Sequence, residues 1–182
     1  MDLLLDRLPT PIGTILLVCA GDALCALDFG DGESRLHRWL GRHYGAYRLA
    51  PQRAPATIRH RLGEYFEGRF ESLDHVPVEA AGTAFQQRVW SALREIPAGK
   101  TVTYGQLARR IGHPGSSRAV WMASGSNPVP IVVPCHRVIG ANGALIGYGG
   151  GLDRKRWLLA HEGAPAARAE QRRLLARDGG AI

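Results

Sequence analysis

Thr103-Tyr104-Gly105-Gln106, then Leu107-Ala108-Arg109-Arg110-Ile111-Gly112, His113-Pro114-Gly115 and Ser116-Ser117-Arg118-Ala119-Val120, decide how the second half of this chain folds. A threonine three residues ahead of a glutamine is a capping-box pattern, in which each side chain satisfies a backbone N–H at a helix start. It predicts a short helix to Ile111 that Gly112 terminates. His113-Pro114-Gly115 makes a turn, and Ser116 or Ser117 can cap a further helix running to about Ser124. Helix, glycine-containing turn and second short helix have the shape of a helix-turn-helix, with Arg109, Arg110 and Arg118 on or beside it.

Working outward, Thr83-Ala84-Phe85-Gln86 repeats the capping pattern and predicts a helix burying Phe85, Val89 and Leu93. Ile131-Val132-Val133 reads as extended, a glycine-rich loop occupies Gly147-Tyr148-Gly149-Gly150-Gly151, and Leu152 to His161 forms a final helix stopped by Gly163. In the first half, Thr14 to Cys19 and Ala23 to Phe29 flank a turn at Ala20-Gly21-Asp22 and predict a β-hairpin. Ser34 to His43 and Pro55 to Glu67 read as helices, the second with Pro55 in its first turn, and Val76 and Val78 suggest a further strand. The expected class is α+β. A small sheet-and-helix domain spans 1–81, a mainly helical domain spans 82–166, and 167–182 form an Ala/Arg-rich tail, frayed or helical at the surface.

Composition narrows the function classes. Of 182 residues, 45% are apolar, which supports a packed core and argues against wholesale disorder. No apolar run reaches membrane-spanning length, and the start lacks a basic region followed by a long apolar stretch, so a cytoplasmic protein with no membrane partner is expected. The net charge of +7 suits a polyanionic partner. Three cysteines at unrelated spacings imply reduced thiols rather than a disulfide framework. Cys19 and Cys25 accompany no Cys-x-x-Cys or paired-histidine pattern and read as buried hairpin residues, so no metal and no cofactor are expected.

Cys135 is the residue to weigh most carefully. It follows Pro134 and precedes His136 and Arg137. A thiolate is the nucleophilic form of cysteine, and a neighbouring imidazole favours it. On local sequence alone, a buried packing cysteine and a reactive one are equally good readings.

The longer string Asn127-Pro128-Val129-Pro130-Ile131-Val132-Val133-Pro134-Cys135-His136-Arg137-Val138-Ile139-Gly140 resembles the active-site signature of the O6-alkylguanine-DNA alkyltransferases. The similarity runs from about Gly82 to Gly163 and takes in Arg118-Ala119-Val120, the loop around Tyr148 and Leu158-Leu159-Ala160-His161-Glu162-Gly163; the first half resembles the family more loosely, mainly at Pro11-Ile12-Gly13. The resemblance implies single-turnover repair of double-stranded DNA, by a monomer bound in the minor groove, with the alkyl group of O6-alkylguanine moved onto Cys135; O4-alkylthymine is a second candidate lesion. It implies His136 as the base acting through water, Glu162 as its orienting carboxylate, Asn127 as a brace for the cysteine loop and Tyr104 as a donor to N3 of the departing guanine. Arg118 would fill the space left by the extruded base, Ser117, Ala119 and Arg109 would lie at the DNA, and Tyr148, Gly149 and Pro130 would shape the substrate pocket.

Two positions depart from the pattern. Trp121 stands where the family usually has a small residue; a tryptophan there can turn inward to the core, stack on DNA or hinder docking, and core packing is the expectation. Gly149 stands where some relatives carry serine, which leaves room for alkyl groups larger than methyl. Three other classes compete on sequence: a lesion binder without transfer, which Cys135 argues against; a dimeric transcription regulator, in which Pro134-Cys135-His136-Arg137 would have no purpose; and a thiol hydrolase, whose acyl intermediates turn over whereas an S-alkyl cysteine does not.

Overall fold

The computed structural model describes residues 1–178; of the tail expected at 167–182, residues 179–182 lie outside the described residues. Strands β1 (Asp2–Leu8), β2 (Ile15–Ala20), β3 (Ala23–Phe29) and β4 (Arg48–Pro51) form one sheet in the order β3-β2-β1-β4. The β2–β3 hairpin forms where the two apolar runs flank Gly21, and β1 pairs antiparallel with β2 and parallel with β4.

Both faces of this sheet are covered, which explains why β2 and β3 are apolar on consecutive residues instead of alternating. Helix α1 (Glu33–Tyr44) lays Leu36 and Leu40 against Leu3, Leu16, Val18, Cys25 and Ala26. The opposite face, with Ile15, Leu17, Cys19, Leu24, Leu27 and Phe29, joins a core that continues through helix α2 (Ala56–Phe66) into the second half of the chain. Cys19 and Cys25 therefore point into different clusters on opposite sides of the sheet, both as free thiols.

Helices α3 (Ala84–Arg94), α4 (Tyr104–Arg110) and α5 (Ser117–Gly125) pack on one another. Both capping boxes are formed: Thr83 and Gln86 exchange hydrogen bonds at α3, and Thr103 and Gln106 at α4. Gly112 ends α4 with φ +77, a conformation that favours glycine. Short parallel strands β5 (Val102–Thr103) and β6 (Val138–Ile139) bring the segment after the cysteine beside the start of α4. Helix α6 (Leu152–His161) ends just before Glu162, and α7 (Pro165–Asp178) follows it, so much of the expected tail is helix. No helix among the described residues is long and apolar enough to cross a membrane.

Several expectations are corrected. Val76 and Val78 form no strand; a 3-10 turn at Phe70–His75 precedes them, and Val78 makes only an isolated bridge to Leu24. Ile131-Val132-Val133 is a tight turn, with Ile131 at φ +77, because Val133 N–H closes back onto Val129 O at 2.9 Å. Phe85 is half-buried at the edge of the core, while Trp90 takes the inward position of α3. Pro55 is the residue before α2 rather than part of its first turn, and Ser116 precedes α5 without a side-chain capping bond.

Candidate active site

Cys135 begins a single 3-10 turn, Cys135–Arg137, entered from Pro134. The turn ahead of it is stapled by Asn127, whose Nδ2 donates to Val133 O at 2.8 Å while its Oδ1 accepts from Val129 N at 3.0 Å. A buried β-branched residue with positive φ, Ile131, costs of order 1–3 kcal/mol and persists only where its surroundings dictate it, as this staple does. Cys135 is 8% exposed and lines a cavity of about 110 Å³ together with Asn127, Pro130, Tyr148 and Gly149. Burial pushes its thiol up; the Asn127 amide and the Lys155 charge act the other way.

The next two residues of the turn belong to a buried charge cluster. His136 Nε2 sits 2.7 Å from Glu162 Oε1. A carboxylate only accepts, so Nε2 carries the hydrogen and Nδ1 holds the free lone pair; Nδ1 has no hydrogen-bond partner among the described residues. Burial holds His136 below its ordinary value, and the Glu162 charge opposes that without overcoming it. The imidazole is therefore neutral at neutral pH and able to accept a proton.

Glu162 is surrounded by donors. Arg137 reaches both oxygens at 2.9 Å through Nε and Nη2, and Tyr65 Oη donates to Oε1 at 2.8 Å. Burial alone would push the carboxyl up, yet the His136 and Arg137 partners outweigh it and hold the group far below the usual carboxylate range. Lys155 on α6 is fully buried and has no carboxylate partner among the described residues, its Nζ donating to Val138 O at 2.7 Å and Ile146 O at 2.8 Å. Burial lowers it to about 8, and the proximity of Cys135 works in the other direction.

A second group of residues lines a groove next to the cavity: Tyr104, Arg109, Ser117, Arg118, Trp121 and Ile146. Tyr104 begins α4, its hydroxyl 3.4 Å from Ile146 O, and burial, with a smaller contribution from Cys135, raises it to about 12. Ala119 is exposed on the outer side of α5, outside the groove lining. Trp121 contradicts its expected core position. It is 46% exposed, because Val120, Ala123 and Ser124 already supply the inward face of α5.

The comparisons with known proteins point one way. Residues 6–80 match the family model for the ribonuclease-like domain of 6-O-methylguanine DNA methyltransferase, and residues 84–164 match the model for its DNA binding domain. The methylated-DNA–protein-cysteine methyltransferase of Shigella flexneri is 44% identical over 164 residues, which cover 88% of this chain and 96% of that protein. The chain belongs to that methyltransferase family. Its similarity to the methyltransferase of Methanosarcina acetivorans is 44% over 158 residues, with 85% and 95% of the two chains covered. The crystal structure of Mycobacterium tuberculosis OGT in complex with DNA superimposes with a TM-score of 0.75 at 42% identity, covering 90% of this chain and 96% of that one.

Within this methyltransferase, the residues that sequence reasoning overlooked are polar groups that complete the buried cluster. Lys155 shares a helix face with Leu158 and Leu159, a spacing that marks it as inward-facing. Tyr65 falls on the apolar stripe of α2 with Ile58 and Leu62, where its hydroxyl went uncounted. The first half also supplies Arg35 and Trp39 to the cavity lining, Arg35 being held by Asp28.

Proposed function

We propose that this protein reverses DNA damage directly, moving the alkyl group from O6 of guanine in double-stranded DNA onto Cys135, once per molecule. The observation that carries this reading is a cysteine on the wall of a cavity, followed in the chain by a buried, neutral imidazole that is bonded to a buried carboxylate. His136 Nδ1 takes the thiol proton through a bridging water, and Glu162 stabilises the resulting imidazolium, as in a nucleophile, base and carboxylate relay. The Cys135 sulfur attacks the alkyl carbon in line, the carbon–oxygen bond breaks, and the electron pair leaves with guanine. Tyr104 donates to N3 of that leaving group and limits its charge. The product is a thioether with no hydrolytic exit, so the reaction stops after one turn.

The stacked base must leave the duplex to reach the cavity, at a cost of a few kcal/mol. Arg118 fills the space it vacates. Helices α4 and α5 act as the helix-turn-helix and dock in the minor groove, with Ser117, Ala119 and Arg109 at the DNA. Pro130, Tyr148 and Gly149 hold the extruded base. An added Cβ at Gly149 would meet nothing within 4 Å, which leaves space for groups larger than methyl. Residues 82–166 carry the chemistry, and residues 1–81 complete the cavity wall and the Glu162 network. The protein works as a cytoplasmic monomer.

The test is the mass of the intact protein before and after one equivalent of duplex carrying O6-methylguanine. A methyl-sized gain located on Cys135 is expected. Cys135→Ala should show no gain while keeping its affinity for DNA. Alkylation elsewhere, or equal loss of transfer and binding in the variant, overturns the reading.

A further inference from the structure

Trp121 and Met122 are 46% and 61% exposed on α5, and Arg118 lies one turn earlier on the same side. A tryptophan carries one of the largest apolar surfaces of any side chain, so leaving it in water forgoes much stabilisation. The pyrrole edge of Trp121 lies over the backbone of Gly147, where an added Cβ would stand 2.7 Å from Nε1. The ring is thereby held upright between α5 and the loop that leads to Tyr148. It forms one wall of the groove lined by Tyr104, Arg109, Ser117, Arg118 and Ile146, and no carboxylate lines that groove among the described residues. Ile146 is exposed there too.

We propose that Trp121 is a duplex-contacting residue, packing its exposed ring against the deoxyribose and base edges of bound DNA beside Arg118. The inference rests on the reading above in taking DNA as the ligand of this face. Charge selects that occupant. An apolar ring framed by Arg109 and Arg118 fits a polyanion whose sugars offer CH surface in the minor groove. A second copy of this chain would set the same arginines against each other. Because the ring is braced on Gly147, little side-chain freedom remains to be lost when DNA covers it.

Trp121→Gly and Trp121→Phe are to be compared with the unsubstituted protein in two measurements: affinity for an unmodified duplex oligonucleotide, and rate of alkyl transfer from free O6-benzylguanine. Trp121→Gly should bind the duplex about tenfold more weakly, a typical loss for one tryptophan at an interface. Trp121→Phe should fall between it and the parent, and the free-base rate should stay unchanged in both. Duplex affinity equal to the parent's overturns the contact. So does an equal loss on both substrates in both variants, which would assign Trp121 to the shape of the glycine loop. Binding confined to an acidic protein rather than DNA overturns it as well. Failure of the unsubstituted protein to accept any alkyl group would sink the transfer reading and leave the duplex comparison to decide this one.

Discussion

The charge cluster behind Cys135 and the outer face of α5 are neighbours built on opposite terms. In the cluster, Glu162 is fully enclosed and bonded by His136, Arg137 and Tyr65, so its charge is compensated within the chain. On α5, Arg118, Trp121 and Met122 stand exposed, and none of the described residues covers that apolar surface. A low-dielectric interior strengthens each electrostatic contact and fixes its geometry, which suits proton transfer. An exposed arginine and tryptophan gain little until a partner covers them, which suits recognition. Chemistry is thus preorganised, while docking awaits its ligand.

That contrast can be broken most forcefully at Glu162. Glu162→Gln leaves Arg137 buried without a counter-charge and should destabilise the fold by about 3 kcal/mol, read as a lowered Tm. It should also slow transfer about a hundredfold in single-turnover assays, since His136 loses its orienting charge. Retained duplex affinity is expected; its collapse would show the two regions are not separable. Arg118→Ala attacks the other side. It should slow transfer from duplex DNA about tenfold and lower the salt dependence of binding by about one counterion, with no change on free O6-benzylguanine. Equal slowing on both substrates would merge the two regions into one. Tyr65→Phe offers the finest cut, removing one hydroxyl from the cluster without creating a large cavity. A stability loss of about 1 kcal/mol is expected, with a modest fall in transfer and no change in DNA affinity.

Reading the sequence reached different depths in different places. Both capping boxes, the β2–β3 hairpin and α6 were legible because each is set by local chemistry: a side chain satisfying a nearby N–H, a turn between apolar runs, a glycine stop. Strand β1 was not, since Leu3-Leu4-Leu5 shows no alternation and its pairing with β4 depends on residues more than forty positions away. The apolar run at 131–133 misled because the Asn127 staple outweighs β-propensity there. The pairing of His136 with Glu162 followed the family resemblance, whereas the contributions of Arg137, Lys155 and Tyr65 needed the packed structure. Composition assigns such residues to the surface or the core, and only distances reveal a buried polar circuit. Trp121 went wrong for the converse reason: hydrophobicity predicted burial, but the inward positions of α5 were already taken.

The apolar interior runs without interruption from Ile12 in the first half to Leu158 in the second, and Phe29 at the end of β3 rests directly on the loop bearing Tyr148, its ring 6.2 Å from the tyrosine ring. A Cβ at Gly150 would collide with the Phe29 ring, so the loop follows the strand beneath it. The genetic target for loss of repair is therefore broad: inherited changes in a scaffold strand, remote from the reactive sulfur in sequence, would misshape the chamber beside it as surely as changes in the signature motif.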